Sequence, residues 1–132
     1  MNKTIFIFWS QGFKNAPPVV KKSLISWEIN NPTWDVVALD NTNIKHYIDI
    51  EKDIPNIYKK KIKYPHIADI IRVHLLCKYG GLWCDATTLC IVPLDKWLNE
   101  YIKTGFFAFK AKFDNSNRII ANWFLYCNKN NY

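Results

Sequence analysis

The fold of this chain is decided by the stretch 68-ADIIRVHLLCKYGGLWCDAT-87. Its apolar spacing, with Pro65 just before it, predicts a helix that ends at Tyr79. Gly80 suits the left-handed position that ends a helix, and Gly81 lets the backbone turn tightly. The apolar residues that follow predict a short strand over 82–84 that ends on the carboxylate of Asp85.

Besides Lys78 in the last turn of the predicted helix, three charged residues interrupt this apolar stretch. Asp69 and Arg72 lie three residues apart on the helix, and Asp85 follows an apolar strand. An unpaired buried carboxylate costs several kcal/mol, so we expect Asp85 to have a partner, to lie at a solvent-open cleft or to bind a ligand. Two ordinary interpretations stay open at this point: a helix ion pair for Asp69 and Arg72, and a turn residue for Asp85.

The segments before this stretch alternate between strand and helix patterns. The apolar run 4–9 predicts a central strand covered on both faces, and 34–39 predicts a second strand. Between them, 19–30 carries an apolar stripe at helical spacing that includes Val20, Leu24, Ile25 and Trp27. A strand–helix–strand order favours an α/β layer with a parallel sheet, within one domain that covers residues 1–132.

The remaining segments give weaker signals. The predictions are a helix over 43–50 capped by Asn43, a helical turn and loop over 51–63, a short helix over 94–102 capped by Asp95 or a neighbour, a strand over 106–109, a turn at 114–117, and an apolar element of undetermined type over 118–127. The basic run 59–63 is either a solvated face or an anion site.

Composition narrows the class of protein. The chain is 49% hydrophobic and carries a formal net charge of +7, which excludes a disordered chain and suggests anionic partners such as nucleic acid, a membrane surface or phosphorylated small molecules. The alternative is that the lysines only solvate the surface. Nearly all the positive charge is lysine, and bidentate recognition of phosphate or guanine relies on arginine, so dedicated nucleic-acid binding is not favoured.

The cysteines and the N-terminus bear on location. The four cysteines form no C-x-x-C pair and no zinc pattern with histidine, which favours reduced thiols in a reducing compartment. The apolar run near the N-terminus is too short for a signal-peptide core or a membrane span. We therefore expect a cytoplasmic protein without a transmembrane segment, which still allows a peripheral membrane contact.

Polar residues follow each predicted parallel strand. In open α/β sheets, ligands bind beyond the carboxyl ends of the strands, and three loops qualify here: 9–13, 39–42 and 85–87. A flat aromatic ring, short polar side chains and a carboxylate suit a nucleotide base, a ribose diol, and a sugar or metal-bound diphosphate.

The motif Ala-Asp-x-x-Arg, followed by Leu-x-x-Tyr-Gly-Gly-x-Trp-x-Asp-Ala-Thr, resembles the sugar-nucleotide-binding region of glycosyltransferases with the DxD motif. The similarity is greatest to capsular polysaccharide synthesis proteins related to glycosyltransferase family 32. The opening Ile-Phe-x-Phe-Trp-Ser-Gln-Gly-x-x-x-Ala-Pro looks like the start of the same family. The resemblance covers roughly residues 5–92, with a fainter similarity over 118–124.

This resemblance implies a Rossmann-like nucleotide-diphospho-sugar transferase fold of the GT-A type. It also implies hexosyl transfer, with retention of anomeric configuration, from a nucleotide-diphosphate sugar to a saccharide or glycan acceptor. Trp9, Gln11 and Trp83 would belong to the donor-binding residues, with Trp9 and Gln11 in the loop that holds the nucleotide. Since only a short segment follows the DxD region, we expect a fragment, a truncated gene product or a minimal donor-binding half.

The same resemblance assigns roles to the charged residues. Asp69 and Arg72 would contact the donor sugar and diphosphate, and Asp85 would meet ribose, sugar or the metal shell, with Arg72 and Asp85 as the catalytic pair. Thr87 stands at the second DxD position, so Asp85 and Thr87 would be the ligands of Mn or Mg. A hydroxyl is a weaker ligand for such cations, which leaves metal dependence undecided. A catalytically silent nucleotide-sugar-binding domain and a basic nucleic-acid-binding module are the alternative functions.

Overall fold

The computed structural model describes residues 1–53, 64–110 and 119–129. In these residues the sheet has the strand order β2-β1-β3-β5-β4. The strands are β1 Thr4–Phe8, β2 Asp35–Leu39, β3 Gly81–Cys84, β4 Phe106–Lys110 and β5 Ile120–Cys127. The helices are α1 Pro18–Asn30, α2 Ile50–Asp53, α3 Tyr64–Tyr79 and α4 Leu98–Tyr101, with short 3₁₀ turns at Ile44–His46 and Leu94–Lys96.

The parallel half of the sheet has β1 at its centre. Phe6 pairs with Val37 of β2 on one side and with Trp83 of β3 on the other, and both pairings are parallel. Ile5, Phe6 and Ile7 are buried, as expected for a strand covered on both faces. The predicted strand–helix–strand unit and its parallel pairing are therefore confirmed.

The other half of the sheet is antiparallel and contains a large irregularity. β5 pairs with β3, where Phe124 faces Cys84, and β4 forms the edge. Ala108 pairs with Leu125, whereas Lys110 pairs with Ile120. One residue of β4, Phe109, therefore faces the four residues 121–124 of β5, which we call the β5 bulge. Bulges redirect side chains that a regular ladder would alternate.

Alternate residues of the strands supply two cores, one on each face of the sheet. Leu82 and Phe124 belong to the core under α1, which also contains Trp27. Trp83 lies on the opposite face with Leu75 of α3. Leu75 is fully buried, and burial of a leucine side chain contributes about 1.5–3 kcal/mol, so this contact holds α3 against the sheet.

The turn between α3 and β3 depends on its two glycines. Gly80 has φ of 69° and Gly81 has φ of 100°, both in the left-handed region that favours glycine. A Cβ on Gly81 would lie 2.6 Å from the carbonyl oxygen of Thr4. Because this turn reverses the chain, α3 runs antiparallel to β3. The first turns of α3 consequently lie beside the carboxyl end of β3, where Asp85 follows.

Two predicted helices were wrong. The segment 43–50 contains the 3₁₀ turn Ile44–His46 and only the first residue of α2, and Asn43 makes no side-chain cap. Instead, Asp40 Oδ1 accepts hydrogen bonds from the backbone N–H groups of Thr42 and Asn43, and Asn43 Nδ2 donates to the carbonyl of Ala38. These local side-chain bonds compete with a regular helix.

The predicted helix over 94–102 is divided into a 3₁₀ turn and the short helix α4. Asp95 is not a cap, because its carboxylate accepts hydrogen bonds from Lys3, Thr33 and Trp34. Ile25, assigned above to the apolar stripe of the first helix, is 49% exposed, whereas Ser23 is buried there.

Three further predictions concern the segment 118–127, two segments outside the described residues, and membrane-spanning helices. The segment 118–127, whose type the sequence left undetermined, contains β5. The basic run 59–63 and the turn at 114–117 lie outside the described residues. Within the described ranges, no helix is both long and apolar enough to cross a membrane.

Candidate active site

A cleft of about 650 Å³ lies beyond the carboxyl ends of β1 and β3. The loop after β1, the loop after β3, the first turns of α3 and the beginning of β5 all contribute to it. Its lining residues are Phe8, Trp9, His66, Ala68, Asp69, Arg72, Trp83, Asp85, Ala86, Thr87, Ile120 and Asn122. This is the edge at which open α/β sheets bind ligands.

Arg72 lies at the centre of the polar wall of this cleft. It is only 4% exposed. Its Nη2 donates to Asp69 Oδ1, and its Nη1 donates to the backbone carbonyl of Asn122 and lies 3.6 Å from Asp85 Oδ1. The guanidinium carbon also lies 5.3 Å from the centre of the Trp83 ring, within the range of a cation–π contact.

Asp85 is held by both its backbone and its side chain. Its backbone N–H donates to the carbonyl of Trp123, 2.9 Å away, and its carbonyl accepts from the N–H of Thr88, also at 2.9 Å. Trp83 Nε1 donates to Asp85 Oδ1 at 2.9 Å. The Asp85 side chain nevertheless remains 40% exposed. Asp85 thus ends the strand, has a cationic neighbour and lies at a solvent-open cleft.

The loop after β3 is fixed to α1 by hydrogen bonds. The carbonyl of Thr88 accepts from Ser23 Oγ at 2.6 Å and from Trp27 Nε1 at 2.7 Å. The backbone N–H of Cys90 donates to Ser26 Oγ at 2.9 Å. These bonds hold the segment that begins with Asp85, and they explain how a loop without regular pairing keeps a defined path at the cleft.

Asn122 is a site residue that the sequence analysis missed. It lies in the β5 bulge, lines the cleft and donates from Nδ2 to Asp69 Oδ1 at 3.1 Å. Ile120 at the start of β5 also lines the cleft. The fainter similarity over 118–124 covers both residues but assigned neither of them to the site, because their position depends on the pairing of β5 with distant strands.

His66 was also missed, although a signal was present. It lines the cleft near the start of α3, and its Nδ1 lies 3.9 Å from Asp69 Oδ2. The spacing of three residues between His66 and Asp69 on the predicted helix favours such a contact. Its side chain is 67% exposed, so it is accessible from solvent.

The other predicted site residues differ in their positions. Trp9 and Thr87 line the cleft, and Trp83 contributes to it although it is almost fully buried. Gln11 is not among the lining residues; it is exposed, and its Oε1 accepts a hydrogen bond from Ser10 Oγ at 2.8 Å.

The loop after β2 does not line the cleft. The hydroxyl of Thr42 donates to Asp40 Oδ1 at 2.6 Å, and this bond lowers the pKa of the Asp40 carboxyl, together with the backbone bonds from Asn43 and Thr42. The carboxylate of Asp40 therefore stabilises its own turn. Of the three loops expected at the carboxyl edge, the two that follow β1 and β3 meet in one cleft.

The oxygen ligands at the cleft are too few for a metal site made by protein alone. The described residues contain no group of three or more His, Cys, Asp or Glu side chains that could hold a metal ion. Asp85 and Thr87 supply one carboxylate and one hydroxyl. Mg²⁺ commonly uses one or two protein carboxylates together with waters and substrate phosphates. The two residues fit that mode of binding.

Two partly exposed carboxylates and a buried guanidinium can hold a polyhydroxylated ligand. Ionised carboxylates accept hydrogen bonds from two or more hydroxyl groups. Asp69 and Asp85 have side chains that are 44% and 40% exposed, so both can reach a ligand while Arg72 stays fixed between them.

Two glycosyltransferases of known name are similar to this chain in sequence. The chain is 33% identical over 96 residues to the O-glycosyltransferase braB of Annulohypoxylon truncatum and 29% identical over 103 residues to the glycosyltransferase afumC of Aspergillus fumigatus. These alignments cover 64% and 70% of this chain but 23% and 26% of the relatives. The chain therefore spans about a quarter of the length of these curated relatives.

The solved structure of the PaToxG glycosyltransferase matches this fold with a TM-score of 0.65. The match has 16% sequence identity and covers 98% of this chain and 56% of that one, which shows a mixed α/β fold of the small GT-A-like type. The family described as capsular polysaccharide synthesis protein matches residues 1–132. Because that match extends over the entire sequence, the chain belongs to the capsular polysaccharide synthesis protein family.

Proposed function

We propose that the cleft binds a nucleotide-diphosphate sugar and that the chain supplies the donor site of a glycosyltransferase, which moves the sugar to a saccharide or related glycan acceptor. The observation that carries this proposal is the wall formed by Asp69, Arg72 and Asp85 beyond the carboxyl ends of β1 and β3. Two relatives are named as glycosyltransferases, which supports glycosyl transfer as the reaction.

Each residue of the wall has a role that follows from its contacts. The carboxylates of Asp69 and Asp85 accept hydrogen bonds from the hydroxyl groups of ribose and of the donor sugar. Arg72 keeps the two carboxylates in place and adds a fixed positive charge, which stabilises the negative charge that develops on the leaving diphosphate. Trp9 lines the cleft, and we assign its indole as the stacking surface for the base.

The formal charge of this wall favours a cation together with the donor. One guanidinium and two carboxylates carry a formal net negative charge, so a diphosphate needs further positive charge beside it. Asp85 and Thr87 would hold Mn or Mg jointly with the diphosphate oxygens. When bound, such a cation supplies positive charge to the leaving group. Hexosyl transfer with retention is a prediction from the family resemblance.

Calorimetric titration with uridine and guanosine diphospho-sugars, with and without Mn, tests the donor site. We expect Asp85→Asn to weaken binding by roughly 10- to 100-fold, because a hydrogen bond to a charged group contributes about 1.5–3 kcal/mol. Asp35→Asn is the matched control, since Asp35 is an exposed carboxylate at the amino end of β2. Its donor affinity should equal that of the wild type.

Other outcomes separate the alternatives. If no nucleotide sugar binds to the wild type, the proposal is wrong. Binding without donor hydrolysis or transfer would favour a catalytically silent nucleotide-sugar-binding domain. If circular dichroism shows that Asp85→Asn does not fold, Asp85 is structural.

A further inference from the structure

Two aromatic side chains of the antiparallel half form an exposed stack. The rings of Phe109 and Trp123 are 5.1 Å apart and inclined by only 11°. Phe109 is 37% exposed and Trp123 is 39% exposed. Phe124 is buried and contacts both rings, with centroid distances of 5.2 and 6.0 Å. The pair, which we call the aromatic stack, therefore rests on the core, while more than a third of the surface of each residue remains exposed to solvent.

The β5 bulge creates this stack. In a regular antiparallel ladder, side chains alternate between the two faces of the sheet. Here Phe109 alone faces residues 121–124, and both Trp123 and Phe124 contact its ring. The same bulge directs Asn122 into the cleft. One irregularity thus accounts both for a polar residue in the cleft and for an aromatic stack beside it.

The backbone of the stack adjoins the loop that carries Asp85, while its rings pack on the core under α1. Neither of its rings is a lining residue, but the carbonyl of Trp123 accepts the backbone N–H of Asp85 at 2.9 Å. Neighbouring strands lie about 5 Å apart, so the backbone of Trp123 is next to that of Asp85. Asn122, the residue before Trp123, donates a hydrogen bond to Asp69 in the cleft wall.

This combination of an apolar ring surface and neighbouring polar groups suits a sugar ring. A pyranose has an apolar face of C–H groups and a rim of hydroxyl groups. The C–H face packs against aromatic rings, and the hydroxyl groups find partners such as the exposed side chains of Asn122 and Lys110. A purely aliphatic ligand could not form hydrogen bonds with these polar neighbours.

We infer that the aromatic stack of Phe109 and Trp123 is the acceptor subsite, where it binds the C–H face of a pyranose ring of a saccharide acceptor. This inference rests on the proposed function, since it assigns the acceptor side of the same cleft. It places the acceptor ring on the residue whose backbone bonds to Asp85, which the proposed function assigns to the donor.

The test uses methyl pyranosides as probes. Saturation-transfer NMR of methyl glucosides, galactosides and mannosides should show contact through the C–H protons of one ring face. Trp123→Ala should weaken this binding roughly 10-fold, and Trp123→Phe should retain most of it. Phe109→Leu provides a second variant that preserves apolar volume but removes a ring. Phe106→Ala is the control, because Phe106 is 42% exposed at the other end of β4 and pairs with Cys127.

Donor binding is measured on the same variants. Weaker pyranoside binding by Trp123→Ala, with unchanged affinity for the nucleotide sugar, supports the acceptor subsite. Unchanged pyranoside binding by a folded Trp123→Ala overturns it, as does wild-type protein that binds the nucleotide sugar but no pyranoside. Wild-type protein that binds pyranosides but no nucleotide sugar overturns the proposed function instead. Concentration-dependent dimerisation that Trp123→Ala abolishes would assign the stack to a second copy of the chain.

Discussion

Asp69→Asn and Asp85→Asn together should destabilise the protein by more than the sum of the two single changes. Arg72 is 4% exposed, and its Nη1 lies 3.6 Å from Asp85 Oδ1. At an effective dielectric constant of about 20, this separation corresponds to roughly 4–5 kcal/mol of Coulomb attraction before desolvation. Because both carboxylates are partly exposed, solvent screens most of it, and each single change should cost about 1 kcal/mol.

The double variant differs because it leaves the buried guanidinium without an anionic partner. A buried charge that loses its partner costs about 3–5 kcal/mol. The coupling free energy of the double-mutant cycle should therefore exceed about 1 kcal/mol. Urea unfolding followed by tryptophan fluorescence gives the free energy of unfolding, and an unchanged m-value shows that two-state behaviour is preserved.

Additive effects would refute this reasoning. If the two changes add within about 0.5 kcal/mol, the charge of Arg72 is stabilised without the carboxylates. The carbonyl of Asn122 and the ring of Trp83 are then sufficient partners. Asp35→Asn serves again as the control and should leave the unfolding free energy nearly unchanged.

Two further predictions concern stability. Hydrogen bonds from Thr33, Trp34 and Lys3 lower the pKa of the Asp95 carboxyl to about 2, from an ordinary value of 3.8. The stability that this shift contributes is fully present above about pH 4 and is lost as the pH falls through about 2. It is on the order of 1 kcal/mol, because the group is partly exposed. Urea unfolding between pH 5 and 2 should show a smaller acid loss in Asp95→Asn, and an identical loss would contradict the pKa assignment. Gly81→Ala should lower stability by about 2 kcal/mol or more, because its φ of 100° is strained for alanine and the new Cβ meets a backbone carbonyl 2.6 Å away. Gly12→Ala should cost less, because its new Cβ meets only a side-chain oxygen at 3.3 Å; equal melting temperatures by circular dichroism would contradict this order.

The central stretch was predictable because its signals are local. A helix over 65–79 and a strand over 82–84 were predicted, and the structure has α3 at Tyr64–Tyr79 and β3 at Gly81–Cys84. The turn at Gly80 and Gly81 and the helix with its apolar stripe can be predicted without knowing which distant residues they contact. The same local spacing allowed a helix ion pair between Asp69 and Arg72, one of the interpretations left open, and the structure shows that contact.

The β5 bulge was not predictable in the same way. The strand β5 pairs with Gly81–Cys84 on one side and with Phe106–Lys110 on the other. The first of these strands is distant in sequence, and a further segment of the chain separates the second from β5. An apolar segment with a polar residue inside it fits a strand or a helix equally well, and nothing local fixes the register that places Asn122 against Asp69. The proximity of Arg72 to Asp85 likewise depends on the antiparallel packing of α3 on β3.

Some sequence predictions remain predictions. The assigned roles of the site residues, the metal, the cytoplasmic location and the peripheral membrane contact belong to this group. Gln11 is one whose observed position, outside the lining residues and bonded to Ser10, gives its predicted role no geometric support.

The contacts of Arg72 determine when the cleft becomes ordered. An arginine side chain has about 2 kcal/mol of rotamer entropy to lose when it is immobilised. Here Asp69, Asp85, Trp83 and the carbonyl of Asn122 already restrict it. That entropy is lost during folding, so a ligand that enters the cleft meets a preorganised polar surface and loses less affinity to side-chain ordering.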